Sequence, residues 1–207
     1  MNNCSLDSLS EFELISRLAN NPPAQSTEVT IDSLSKLYSE PPREAAVLIP
    51  LFQNEGNWHV LFIHRTEDSK EHSGQVAFPG GRLEPRDESV FQTALRETEE
   101  EIGLDSDKVK IIARLNPIHT ISNYHVTPIV GIIPWPFSHK IQVQEVKHIF
   151  TIPLAWLSDP NHWEMKTRYF EPLNIDLPVI YYEKYNGELL WGVSARIMVN
   201  FIEQLCN

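Results

Sequence analysis

The sequence predicts a single-domain α/β protein in which a few helices lie on either side of a set of strands. The chain has 207 residues, of which 42% are hydrophobic, and this is enough to bury a sizeable core. Apolar runs of strand length recur along it, and helical patterns lie between and beyond them. Strands and helices in this mixture indicate a layered α/β fold.

The N-terminal region predicts one helix followed by a connecting segment. Apolar residues recur at every third position, namely Leu6, Leu9, Phe12, Ile15 and Leu18. Pro22-Pro23 would end the helix. We therefore divide the chain into residues 1–43, a helix and lead-in segment packed on the domain, and residues 44–207, the domain itself.

The sequence of this domain predicts several strands, some of them paired as hairpins. Apolar runs 44–52 and 57–64 flank Gln-Asn-Glu-Gly, which is typical of a hairpin. Further strands are expected at 109–115, 126–133 and 146–152. Residues 178–192 predict a second hairpin around Asn186-Gly187. An amphipathic helix at 194–205, with Ser194 as its N-cap, would close the chain.

Charge and composition exclude some classes of function. A net charge of −11 and a pI near 5.1 argue against a protein that coats nucleic acid or anionic membrane. Cys4 and Cys206 form no metal-binding spacing, and no secretory signal or membrane-spanning run is recognisable. We expect a cytoplasmic protein.

The pattern that most strongly indicates function is an acidic helix over residues 88–102, closed by Gly103. Residues three and four apart share a helix face, so Glu97, Glu100 and Glu101 point together while Glu99 turns aside. Two carboxylates about 5 Å apart repel by roughly 3 kcal/mol at an effective dielectric near 20. Either water solvates this face, or a hard cation such as Mg²⁺ or Mn²⁺ binds it. The preceding Gly80-Gly81 turn favours a metal-dependent phosphate site.

These residues resemble the Nudix box. The matching positions are Gly81, Glu88, Arg96-Glu97, Glu100-Glu101 and Gly103-Leu104. Six residues separate Gly81 from Glu88 where the common box has five, and Thr98 replaces a usual aliphatic residue. Asp87 is an alternative to Glu88 for that position.

The extra residue and the upstream segment 61–81 resemble the coenzyme A diphosphatases of this family. The matching positions are Leu61, Arg65, His72, Gly74, Gln75, Phe78, Pro79, Gly80 and Gly81. Ile63, Thr66 and Lys70 depart from the family's threonine, serine and arginine. Lys70 keeps the positive charge but lacks a planar bidentate contact.

The resemblance implies an α/β/α sandwich around a mixed β-sheet, with the box as a loop–helix–loop metal site. It implies Mg²⁺- or Mn²⁺-dependent hydrolysis of coenzyme A to 3′,5′-ADP and 4′-phosphopantetheine. The metal ligands would be Glu97, Glu100 and Glu101, and the catalytic set Glu100, Glu101, Arg96 and Glu145. The substrate-binding set would be Arg65, Lys70, His72, Gly74, Phe78, Gly80, Gly81 and Arg82.

Two alternatives stay open. One is a Nudix hydrolase of ADP-ribose, NADH or a dinucleotide, and the other is a Nudix-fold binding protein without catalysis. The expected partner is a small nucleoside diphosphate derivative, with no nucleic acid and no membrane. A homodimer is left open by the sequence. His119, His125 and the tryptophans are expected to have structural roles.

Overall fold

A mixed β-sheet forms the centre of the computed structural model, which describes residues 6, 9–21, 38–67, 74–171 and 174–207. Eight strands build it: β1 (Arg43–Asn54), β2 (Asn57–Arg65), β3 (Val76–Ala77), β4 (Gly80–Arg82), β5 (Lys110–Arg114), β6 (Ile118–His119), β7 (Tyr124–Ile132) and β8 (Val146–Pro153). The main order is β3-β2-β1-β7-β5, with β4 paired to β1, β6 to β7 and β8 to β2.

The predicted first hairpin is confirmed. β1 and β2 pair antiparallel with Leu51 opposite Val60, and the turn residues Glu55 and Gly56 both have positive φ, 51° and 81°. Positive φ at both turn positions matches the right-handed twist of the flanking strands. β1 also pairs with β7 in parallel, which makes the sheet a mixed one.

Helices cover both faces of the sheet, as an α/β/α sandwich requires. On one face, helix α2 (Val90–Ile102) buries Ala94 and Ile102 against Leu48, Leu61 and Ile63. On the other face, helices α1 (Glu11–Asn20), α3 (Leu154–Ser158) and α4 (Gly192–Cys206) pack over residues such as Val60 and Phe62. Successive side chains of a strand point to opposite faces, so β2 contributes to both cores.

Helix α1 forms where expected, but the predicted apolar face is partly wrong. Ser10 and Glu13 form a reciprocal capping box, and Leu14 and Leu18 are buried. Phe12, which the three-residue spacing predicted to be buried, is 80% exposed. A spacing of three drifts around a helix of 3.6 residues per turn, whereas residues four apart stay on one face.

The predicted second hairpin is only partly present. The Asn186-Gly187 turn forms, and isolated antiparallel bridges join Tyr181 to Trp191 and Tyr185 to Glu188. The continuous ladder of β10 (Ile175–Tyr182), however, is with β9 (Trp163–Phe170) and not with the segment after the turn. Strand β9 was not predicted, because its exposed, largely polar sequence lacks an apolar run. The last helix begins at Gly192 with Trp191 as its N-cap, so the assignment of Ser194 as N-cap was wrong.

Some predicted residues lie outside the part of the chain that the structure describes, namely Cys4, Lys70 and His72. Within the described part, no helix is both long and apolar enough to cross a membrane.

Candidate active site

Helix α2 presents the acidic cluster, and local capping fixes where it starts and stops. Ser89 accepts the Gln92 backbone N–H at the N-terminus, and Gly103 ends the helix with a left-handed φ of 71°. Only glycine adopts that conformation without strain. Thr98 is fully buried, so the helix is held against the sheet with its acidic face towards β4.

Glu101 is the most buried acid of the cluster, with 2% of its surface exposed. Its two oxygens accept hydrogen bonds from the Gly80 backbone N–H and from Arg65 Nη1, each at 3.0 Å. Burial raises the pKa of Glu101 to about 8, although Arg65 and Gly80 act in the opposite direction. The carboxylate is therefore fixed between the glycine turn and the sheet.

Glu97 lies directly against the second glycine of the turn. A Cβ atom at Gly81 would come within 2.4 Å of Glu97 Cδ, so only glycine leaves room for this carboxylate. Burial raises the pKa of Glu97, and the charges of Glu100 and Glu145 raise it further. The turn and the helix thus approach closely at the point where the acids gather.

Arg96 binds three acids at once. Its Nε and Nη2 atoms each donate to one oxygen of Asp87 at 2.9 Å, while Nη1 donates to Glu97 at 2.8 Å and to Glu100 at 3.2 Å. The hydrogen bonds from Arg96 lower the pKa of Asp87 well below its usual range, and Asp87 in turn raises that of Arg96. Glu88 is exposed, and its carboxylate makes no hydrogen bond or ion pair with any described residue. Of the two candidates, Asp87 therefore contacts the arginine.

Arg65, which the sequence predicted to bind substrate, contacts two carboxylates in the structure. Besides its bond to Glu101, its Nη2 lies 3.9 Å from Glu145 Oε2. The Glu145 backbone carbonyl accepts the Thr66 N–H at 2.9 Å, which ties this later segment to the end of β2. Glu145 is thus brought to the acidic cluster from 44 residues beyond Glu101.

A cavity of about 1020 Å³ opens beside the cluster. Of the predicted substrate-binding residues, Arg65, Phe78, Gly80, Gly81 and Arg82 line it, together with Glu97 and Glu145, whereas Gly74 does not. Phe78 is 2% exposed and packs on Phe62, so much of it belongs to the core.

A further part of the cavity wall was not foreseen. It is built from β9, β10 and the start of α4, and includes Arg168, Phe170, Leu177, Val179 and Trp191. Arg168 lies 5.0 Å from the Trp191 ring centre, and Trp191 stacks on Tyr181 at 5.5 Å. This wall was missed because β9 itself was missed.

The acids fit a divalent cation by their chemistry. Carboxylate oxygens are the ligands that Mg²⁺ and Mn²⁺ prefer. The charge of Glu145 raises the pKa of both Glu97 and Glu101, and the charge of Glu97 raises the pKa of Glu101. These charges are therefore within electrostatic reach of one another and would attract a cation. The positive charges of Arg96 and Arg65 offset the repulsion between these carboxylates.

An α/β/α sandwich with a carboxylate-bearing helix beside a large cavity is the arrangement expected of a Nudix hydrolase. The chain belongs to the Nudix family, since the NUDIX domain matches residues 42–174. It is 34% identical over 171 residues to proteins named "Uncharacterized Nudix hydrolase NudL" from Yersinia pestis and Yersinia pseudotuberculosis, covering 83% of this chain and 84% of each relative. A MutT/nudix family protein from Enterococcus faecalis shares the fold at 13% identity and a TM-score of 0.50, covering 95% of this chain and 74% of that chain. The protein is therefore a Nudix pyrophosphohydrolase, an enzyme of a family that uses divalent metal ions.

Proposed function

We propose that this enzyme hydrolyses the diphosphate bond of coenzyme A and its derivatives, releasing 3′,5′-ADP and 4′-phosphopantetheine or its acyl form. The observation that carries the proposal is segment 61–81, which resembles the signature of the coenzyme A diphosphatases. Two parts of that segment, Arg65 and the Gly80-Gly81 turn, contact the acidic helix directly.

The cavity supports a large substrate with an extended arm. Small-molecule sites usually enclose about 300–1,000 Å³, so 1020 Å³ lies just above that range. Its lining includes Glu97 and Glu145, beside which a metal-bound diphosphate would lie. The lining also includes aromatic and aliphatic side chains such as Trp191 and Leu177, against which a pantetheine arm would pack.

Glu97, Glu100 and Glu101 are the proposed metal ligands. Held there, Mg²⁺ or Mn²⁺ would neutralise diphosphate charge and lower the pKa of a coordinated water. Arg96 positions Glu97 and Glu100, while Arg65 and the Gly80 N–H position Glu101. Positioning of this kind matters because a small displacement of a reacting group costs a large factor in rate.

Glu100 or Glu101 is the proposed acceptor of the proton of the attacking water, and Glu145, which lines the cavity, is a further candidate. Arg82, on the cavity wall, and Lys70, five residues after Arg65 in the sequence, are proposed to contact substrate phosphates, with His72 as an additional contact.

Product identification by mass spectrometry tests the proposal. The purified enzyme is incubated with coenzyme A, ADP-ribose, NADH and a dinucleoside polyphosphate, each with Mg²⁺, Mn²⁺ or EDTA. We expect 3′,5′-ADP from coenzyme A, faster than turnover of the others and absent in EDTA. Preferred turnover of another substrate would refute the coenzyme A assignment, and no turnover at all would favour the binding protein.

Two substitutions on the same helix give a matched control. Glu101→Gln removes a proposed ligand and should lower kcat by at least about 100-fold, as is common when a charged catalytic group is lost. Glu99→Gln changes an exposed acid that faces away from the cluster and should leave kcat unchanged. Equal rates for the two variants would rule out the proposed metal ligand set.

Three further expectations belong to the proposal. Residues 1–43 are a segment packed on a domain of residues 44–207, the enzyme is cytoplasmic, and it acts on a small molecule without nucleic acid or membrane. Cell fractionation tests the location, and light scattering tests whether the protein is a homodimer.

A further inference from the structure

Two histidines and a glutamate meet on the face of the sheet opposite the acidic helix. His64 Nδ1 lies 2.7 Å from Glu188 Oε2, and His148 Nε2 lies 2.8 Å from Glu188 Oε1. One ligand atom from each of the three residues lies within 4.8 Å of the others. Among the described residues, no other group of three His, Cys, Asp or Glu side chains converges this closely.

Three separate parts of the fold supply these side chains. His64 and His148 are directly paired residues of β2 and β8, and their rings lie 4.9 Å apart. Glu188 follows the Asn186-Gly187 turn, whose positive φ values turn the chain back so that Glu188 pairs with Tyr185. The histidines are therefore fixed by a sheet ladder, and the glutamate by a tight turn.

The donor set differs in kind from that of the acidic helix. Imidazole nitrogen suits Zn²⁺, Co²⁺, Ni²⁺ and Cu²⁺, whereas carboxylates alone suit Mg²⁺ and Mn²⁺. Two histidines and one glutamate form a known zinc ligand set that leaves a fourth position open. His148 is 39% exposed, so water reaches the group from one side and can complete the coordination.

The distances need only a small adjustment to accept such an ion. Ligands about 2.0–2.1 Å from a tetrahedral Zn²⁺ lie roughly 3.3 Å from one another. The present nitrogen–oxygen distances of 2.7 and 2.8 Å are those of hydrogen bonds, and rotation of the Glu188 side chain lengthens them. The surroundings permit this rotation because Glu188 is itself partly exposed.

We propose that His64, His148 and Glu188 form a second metal site, specific for Zn²⁺-like cations, that fastens the segment after β10 to the sheet. This segment continues into Trp191 and the start of α4, which line the cavity. The second site would therefore stabilise the apolar wall while the acidic helix binds its own metal on the other face.

Metal binding to the purified, tag-free protein tests this proposal without measuring turnover. The protein is stripped with EDTA, desalted and titrated with Zn²⁺ or Co²⁺, and bound metal is counted by mass spectrometry. A Glu97→Gln/Glu101→Gln double variant removes the other proposed site. We expect this double variant to retain about one equivalent of Zn²⁺ and to give the visible absorption of four-coordinate Co²⁺.

Added to that double variant, His148→Gln and Glu188→Gln should each weaken Zn²⁺ binding by at least about 100-fold. The control is His125→Gln, because His125 pairs with Glu44 at 3.0 Å in a similar contact that lacks a second histidine. It should bind Zn²⁺ as its parent does. Absence of Zn²⁺ from the double variant, or equal binding by all three histidine and glutamate variants, would overturn the proposal and leave a hydrogen-bonded His–Glu–His group.

Discussion

At the scale of single residues, Arg96 organises the acidic helix. Its guanidinium binds Asp87 through two parallel hydrogen bonds and also contacts Glu97 and Glu100. Arg96 and Asp87 are 12% and 1% exposed, so water screens this pair little. A planar fork with five donors can make these contacts together, whereas a lysine cannot.

The Asp87–Arg96 pair yields a stability prediction. Asp87→Asn removes one partner of a nearly buried ion pair and should lower the free energy of unfolding by about 3 kcal/mol. Glu88→Gln, at the exposed neighbouring acid, should change it by less than about 0.5 kcal/mol. Urea denaturation of both variants measures the difference, and a larger loss for Glu88→Gln would contradict the contact seen here.

The same ion pair should make the free energy of unfolding depend on pH. Arg96 lowers the pKa of Asp87 in the folded state, so folding is favoured by ionised Asp87. This stabilisation is complete above the unfolded pKa of about 3.9 and is lost as pH falls towards the lower folded value. The stability gap between wild type and Asp87→Asn should therefore be constant from about pH 5 to 7 and shrink below about pH 4. A gap that stays constant to the lowest pH at which the protein folds would contradict this.

Substitution of Gly81 should lower the activity of the enzyme while leaving its stability almost unchanged. In Gly81→Ala the new methyl group overlaps the Glu97 carboxylate, which lies at the end of a flexible side chain and can move away. We expect stability to change by less than about 1 kcal/mol, while metal-dependent kcat falls by at least about 100-fold. Gly56→Ala is the control, because its methyl group meets nothing within 4 Å and strains only a turn at φ 81°. Equal activity of the two variants would show that the position of Glu97 is unimportant.

The sequence pattern groups the acidic side chains but does not reveal the residues that contact them. The helical period places Glu97, Glu100 and Glu101 on one face, because that geometry depends only on neighbours along the chain. The contacts of Arg65 with Glu101, and of His64 with Glu188, join residues 36 and 124 positions apart. Such contacts depend on strand order and register, which local patterns do not determine.

At the scale of elements, periodicity located α1 but misplaced its buried side. The observed face includes Leu14, which is fully buried, whereas Phe12 is 80% exposed. We expect Leu14→Ala to cost about 2–5 kcal/mol of unfolding free energy, as buried leucine truncations do. Phe12→Ala should cost less than about 0.5 kcal/mol. Thermal or urea denaturation checks this, and a larger effect of Phe12→Ala would restore the original assignment.

The strands show where sequence patterns stop being informative. β1 and β2 are buried on both faces and read as apolar runs, so their hairpin was predicted. Strand β9 has six consecutive exposed residues and leaves no hydrophobic pattern. It is stabilised by its ladder with β10, a tertiary property, and β-propensity is strongly dependent on such context.

At the scale of the whole molecule, the cavity joins parts of the chain that are remote in sequence. Glu97 and Gly81 line it, and so does Trp191, more than 90 residues later. The family box thus accounts for the hydrolysis of a diphosphate, while β9, β10 and α4 offer the surface that could select the group attached to it. Substrate choice is therefore expected to respond to changes far from the metal ligands.

Trp191→Ala tests whether this part of the cavity wall selects the substrate. The substitution removes a large aromatic surface from the apolar wall without touching the acidic cluster. Coenzyme A, whose long arm would pack there, should show a KM raised by about tenfold, equivalent to roughly 1.4 kcal/mol of lost binding. ADP-ribose lacks that arm, so its KM should stay within about twofold of the wild-type value. The kcat for both substrates should be little changed, because the interaction is uniform in ground and transition states.

Tyr169→Ala is the matched control, since Tyr169 is an aromatic residue of β9 that is 56% exposed and does not line the cavity. If Trp191→Ala raises the KM of the two substrates equally, the wall does not distinguish them, and selectivity must instead come from the segment 61–81 beside the metal site.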